Sequence, residues 1–204
     1  MSLASTSMNF FLLTTIIYFI SHYIIGDKQK NIINYIYYGL IIISQLLIIY
    51  LQSKEICGTP QIKYVLLWGL IPWFFIFFGM ITLLTVFPGW KSPFSNTIGY
   101  LFTKLLGITG LFNQLLKSKY KSENTSINKI MQNIYEDQSV LINEITPNNF
   151  ENAINKLKPL FNTASIDYTK NILKLKKLVQ LKDEISRFIW YILTGGLVVS
   201  LSNM

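Results

Sequence analysis

Residues 64–87 read YVLLWGLIPWFFIFFGMITLLTVF, with no charged side chain in the stretch. As an α-helix, a run of this length rises about 36 Å, enough to cross roughly 30 Å of hydrocarbon with some tilt. Its reading decides the fold, because an apolar run this long is neither a strand nor the half-buried helix of a water-soluble domain. Pro72, in the middle, has no N–H to donate, which predicts a kink or a local loosening there. Trp68 and Trp73 flank that proline, and Tyr64 stands where an interfacial anchor belongs.

Two more apolar runs precede it. Residues 8–25 are a first span near the lower length limit, and residues 32–51 a second, rich in Ile, Leu and Tyr. The short GDKQK connection at 26–30 makes them an antiparallel hairpin. The first run lacks a basic leader and a small-x-small cleavage site, so it is read as a retained span. Between the second and third spans lies the loop QSKEICGTPQIK at 52–63, where Gly58 and Pro60 oppose helix continuation.

After the third span comes VFPGWKSPFSN at 86–96. Pro88 ends the hydrogen-bonded ladder, and Gly89 is expected to permit a sharp turn. Trp90 belongs at headgroup depth, Lys91 faces phosphates, Pro93 stiffens the turn and Phe94 dips back into lipid. Ser95, Asn96 or Thr97 is expected to cap the next helix. These residues form a candidate membrane-surface elbow. Beyond it, residues 97–116 place apolar side chains at 98, 101, 102, 105, 108, 112, 115 and 116, one helical face, with Tyr100, Lys104, Gly107, Asn113 and Gln114 on the other. That pattern predicts an amphipathic helix in the interface plane.

Residues 117–167 are rich in Asn, Lys and Ser and predict a small helical polar domain with too little core to stand alone. Within it, NNFENAINKLKPLF (148–161) reads as a short helix with an Asn N-cap and a stop before Pro159. From 168 to 204 a long basic helix is expected to enter a fourth crossing at about 188–204, the alternative being a re-entrant or half-inserted helix. Lys174, Lys176, Lys177, Lys182 and Arg187 form its membrane-adjacent basic set. They suit lipid headgroups or an acidic protein partner. The fold expected is therefore an all-α membrane protein with about four transmembrane helices, an interfacial amphipathic helix and a small helical polar domain.

Composition agrees. Of 204 residues, 51% are hydrophobic and 14% charged, against about 25% charged in ordinary soluble domains, and the mean hydropathy is +0.39. The formal charge of +8 suits membrane orientation better than nucleic acid, which is not expected as a partner. With four crossings, Lys54 and Lys63 are the only Lys or Arg on one side, against sixteen of the total of 18 on the other. Residues 88–187 are thus expected on the cytosolic side, where the Asn124-Thr125-Ser126 sequon would stay unmodified.

Catalytic chemistry is not indicated: GxSxG, P-loop, HExxH and dinucleotide fingerprints are all missing from the sequence. One cysteine and one histidine allow no metal cluster, and no cofactor is expected. His22 could relay protons but is better read as an interfacial side chain bonding water or a headgroup. Cys57 has no base near it in sequence. Asp183 with Arg187 reads as a local i,i+4 pair rather than an ion site. Ser44 and Gln45 read as interhelical glue rather than a transport path, and Gly195-Gly196 as a place for close helix packing.

Three stretches carry a resemblance: CGTPQ (57–61) with GLIPW (69–73), then FPGWKSPFSNTIGYLF (87–102), then KDEISRFIWYILTGGLVVS (182–200). Together they resemble the transmembrane minor capsid protein of nucleocytoplasmic large DNA viruses, chlorella-virus type. The resemblance covers roughly 57–110 and 182–201. It implies a non-enzymatic role, in the internal membrane of an icosahedral virion derived from host endoplasmic reticulum. The implied partners are the bilayer, other minor capsid proteins and the major capsid protein, with self-association possible. The alternative function is a channel or transporter subunit.

Overall fold

A computed structural model of the chain describes residues 3–25, 29–59, 61–117, 132, 134 and 136–202. Lys28, Pro60 and the 124–126 sequon lie outside the described residues. Four helices are long and apolar enough to cross a membrane: α1 (Leu3–Ile24), α2 (Lys30–Cys57), α3 (Ile62–Val86) and the last helix, Tyr168–Ser202. Among the described residues there is no strand, and an isolated antiparallel bridge joins Leu116 to Phe161. The chain is an all-α membrane protein. The final helix runs unbroken for 35 residues, so the apolar stretch that begins at 188 is the continuation of a long rod.

The chain divides into two units. One comprises Met1–Lys91 with Arg187–Met204, the other Ser92–Ser186.

The first unit is apolar outside and partly polar inside. Phe74 and Phe75 are 67% and 70% exposed, and Leu13, Ile17, Ile20, Ile43 and Leu47 also face outward. In water such a surface would drive aggregation; in hydrocarbon it is the solvated one. The inward faces recur every three or four residues. On α1 they are Ser7, Phe11, Thr15, Tyr18, Phe19 and His22; on α2, Tyr37, Ile41, Gln45 and Ile49. Rings fill the centre: Phe11, Trp73, Phe77 and Tyr191 meet mostly edge to face, while Tyr18 stacks on Tyr37 at 4.0 Å between centroids. The loosening expected at Pro72 takes the form of a π-helical stretch, Trp73–Phe78, that begins immediately after it.

In the second unit, single turns at Ser92–Phe94 (α-helical) and Ser95–Gly99 (π-helical) lead into α4 (Tyr100–Leu105). Then follow α5 (Ile108–Leu115), α6 (Ser139–Glu144), α7 (Phe150–Leu157) and the start of α8 (Tyr168–Ser202). Its core takes Ile108, Phe112 and Leu115 from α5, Ile142 from α6, Phe150 and Ile154 from α7, Phe161, and Leu175 and Val179 from α8. The polar region 117–167 thus borrows core from both flanks, the expected remedy for a segment too small to bury its own.

The single amphipathic helix expected over 97–116 is two helices. Gly107 sits at φ +86° between them, a left-handed conformation that costs a glycine little and other residues more. The break splits the apolar pattern. Leu101, Phe102, Leu105 and Leu106 remain exposed, whereas Ile108, Leu111, Phe112 and Leu115 enter the core of the second unit. Hydrophobic spacing alone does not separate an exposed face from a core-facing one.

Candidate membrane-surface site

The elbow begins where α3 runs out of donors. The Phe87 N–H closes the last turn on the Leu83 carbonyl at 2.7 Å, and the Trp90 N–H bonds the Phe87 carbonyl at 3.0 Å across a 3₁₀ turn, Pro88–Lys91. Pro88 lacks a donor, so it fits a position where the ladder ends. Gly89 does not do what the sequence suggested: its φ is not positive, and a Cβ there would meet open space. Pro88 and the 3₁₀ geometry make the turn. The rings of Phe87 and Trp90 stack at 6.2 Å, both about half exposed. Trp190 Nε1 donates to the Trp90 carbonyl oxygen at 3.0 Å, which ties the end of α3 to the second half of α8.

Near that tie lies the pair that sequence reasoning missed. Arg187 Nη2 is 3.1 Å from His22 Nδ1, and the guanidinium carbon is 5.5 Å from the centre of the Phe19 ring. Arginine only donates, so a hydrogen bond between the two needs the histidine nitrogen as acceptor. His22 is 4% exposed; it meets a guanidinium rather than the water or headgroup expected of it. Nothing in local sequence links positions 165 residues apart. The one available signal was that His22 stands near the close of the first apolar run and Arg187 just before the last one, positions that an antiparallel course brings to the same level.

Four pairs of polar groups meet inside the first unit. Ser7 Oγ donates to Gln45 Oε1 at 2.5 Å, Thr15 and Tyr37 share a hydrogen bond of 2.9 Å, Tyr18 donates to Asn34 at 2.8 Å, and Tyr38 meets Tyr191 at 2.8 Å. Gln45 is glue, as its sequence position suggested. Ser44 instead returns its hydroxyl to the Ile41 carbonyl within its own helix.

Past Lys91, the remaining elbow residues belong to the second unit. Pro93 is exposed and Phe94 half-buried. Thr97 donates back to the Pro93 carbonyl at 2.5 Å, and Asn96 accepts from Lys182 Nζ at 3.3 Å, so neither Asn96 nor Thr97 makes the helix cap expected. Lys182 is 1% exposed. Its Nζ also donates to the Ile142 carbonyl at 2.7 Å, serving a last-turn acceptor of α6 that has no partner within its own helix. Gly99 packs directly on this residue: a Cβ there would stand 2.6 Å from the Lys182 carbonyl oxygen. Lys182 lies before the apolar block that starts at Phe188, and burial pushes its ammonium down to about 8, with Asp183 and Glu144 opposing.

The basic set therefore divides by role. Lys174 and Lys177 are exposed. Lys176 bonds Glu151 at 2.8 Å and lies over the Phe150 ring. Lys182 is an internal pin of the second unit, and Arg187 packs with His22 and Phe19 in the first. Among the described residues no three His, Cys, Asp or Glu side chains come together, and Cys57 is a free, exposed thiol.

Compared with protein-family models, curated proteins and solved structures, the chain matches none.

Proposed function

We propose that this chain is a structural, non-enzymatic membrane protein that holds a bilayer to a protein shell. The setting that fits is the internal membrane of a large icosahedral DNA virus, where the chain would be a minor capsid protein. One observation carries the anchoring reading: a unit of four lipid-compatible helix segments is joined through the elbow and through α8 to a separately cored, basic unit. The viral setting is supported by the resemblance over 57–110 and 182–201. In this reading the membrane comes from host endoplasmic reticulum. Residues 92–186 lie on its cytosolic face, which becomes the face towards the capsid, where they meet minor capsid proteins and the bases of major-capsid capsomers.

A channel or transporter subunit is the competing reading. It has less support, because Ser7 is occupied with Gln45, Thr15 with Tyr37, and Tyr18 with Asn34. The test is co-purification with intact particles and cross-linking through 117–187. Cross-links to shell proteins are expected; a particle map in which the chain touches no shell protein would sink the proposal.

A further inference from the structure

At the end of the first unit remote from the elbow, the four long helices surround an open cleft of about 690 Å3, a size typical of small-molecule sites. Leu3 of α1, Ile49 of α2, Val65 of α3 and Leu201 of α8 give it an apolar floor. Ser53 and Ser202 also line it, with Tyr64 and Trp68 exposed at its side.

Ser202 is the informative residue. It is 8% exposed, and its Oγ has no hydrogen-bond partner. Two other hydroxyls on α8 return to the carbonyl four residues back: Thr194 to Trp190 at 2.7 Å and Ser200 to Gly196 at 2.8 Å. Ser202 leaves that option unused, and a buried hydroxyl without a partner is a cost that a ligand oxygen removes. Ser53 accepts from the Gln61 N–H at 3.2 Å, which leaves its hydroxyl proton for another acceptor.

We infer that this cleft binds one zwitterionic membrane phospholipid. The inference rests on the membrane reading of the four helices. One acyl chain lies along Leu3, Ile49, Val65 and Leu201, and the ester oxygens accept from Ser202 and Ser53. The walls are membrane-crossing helices, so the cleft opens where lipid is the solvent. Tyr64 and Trp68 are the residue types that settle at the depth of the ester region. Glu55 lines the mouth and favours a headgroup carrying an ammonium over a purely anionic one.

Native mass spectrometry of the full chain, delipidated in mild detergent and offered phosphatidylcholine or phosphatidylglycerol, tests this. Wild type should retain one phosphatidylcholine per chain in preference to phosphatidylglycerol. Val65→Trp, which fills the floor, should retain at least tenfold less, Ser202→Val several-fold less, and Leu66→Trp, on the exposed face of α3, as much as wild type. If Val65→Trp fails to fold, Ser202→Val decides. A solvatochromic dye on Cys57, the only cysteine and part of the cleft lining, should shift to the blue as phosphatidylcholine is added. No retained lipid, equal retention by Ser202→Val and wild type, preference for phosphatidylglycerol, or an unmoved dye would each overturn the inference. Resistance to alkaline carbonate extraction reads membrane insertion separately, so a chain that stays inserted yet holds no lipid loses this inference and keeps the anchoring one.

Discussion

Gly195 and Gly196 are neighbours with different duties. A Cβ on Gly195 would stand 2.0 Å from the ring of Phe11, which is fully buried and cannot swing aside, whereas on Gly196 it would only touch Met8 at 4.0 Å. Gly195→Ala should therefore destabilise the first unit by about 1–3 kcal/mol, the usual cost of overpacking, and Gly196→Ala should be nearly silent; thermal melts in detergent compare the two. The dipeptide was legible in the sequence as a close-packing site, but which glycine is used depends on the rotation of α8 against α1. Lys182 makes the second residue-scale prediction. Its folded-state value of about 8 lies below the 10.5 of an unperturbed lysine, so between those pH values the unfolded chain holds the proton that the folded chain has released. Stability should rise with pH across that window from this group, and the rise should vanish in Lys182→Met. An unchanged slope in the variant would mean that the ammonium is not desolvated as its burial requires.

At the scale of elements, the elbow and the split helix matter most. Gly107→Ala forces a Cβ into a left-handed conformation and should cost about 1 kcal/mol, read as a lower melting temperature. A stabilised variant would show that α4 and α5 prefer to run on as one helix. For the elbow, Trp90→Ala with Phe94→Ala should weaken seating in the bilayer, measured as earlier release in a detergent titration; unaltered extraction would discount both rings. The turn at Pro88 was legible because proline's missing donor is a local fact. The break at Gly107 was not, since a glycine within a helical pattern is common and only the burial of Ile108, Phe112 and Leu115 in a separate core demands the change of direction. For the same reason Asn149 was correctly placed just before α7, yet its side chain turns back to the Glu144 carbonyl and the Thr146 N–H instead of capping.

For the whole molecule, the arrangement across the bilayer is the testable matter. Cys57 follows an even number of crossings from the start of the chain, and residues 92–186 follow an odd number. In sealed membranes, an impermeant maleimide should label Cys57 from the side opposite to that which labels a cysteine placed at Ser165 in a Cys57→Ser background; labelling of both from one side would remove one crossing. The sequence by itself determined the helical class, the four apolar lengths, the place of the elbow and the charge asymmetry, because a low-dielectric solvent forces backbone satisfaction within each helix and makes hydropathy a local property. Only the tertiary structure decided which faces turn inward. It paired His22 with Arg187 and Ser7 with Gln45, sent Lys182 into a core, divided one amphipathic pattern between two environments and left Ser202 facing a cleft. Those outcomes depend on the rotation and register of helices far apart in the chain, which side-chain packing sets and no local spacing records.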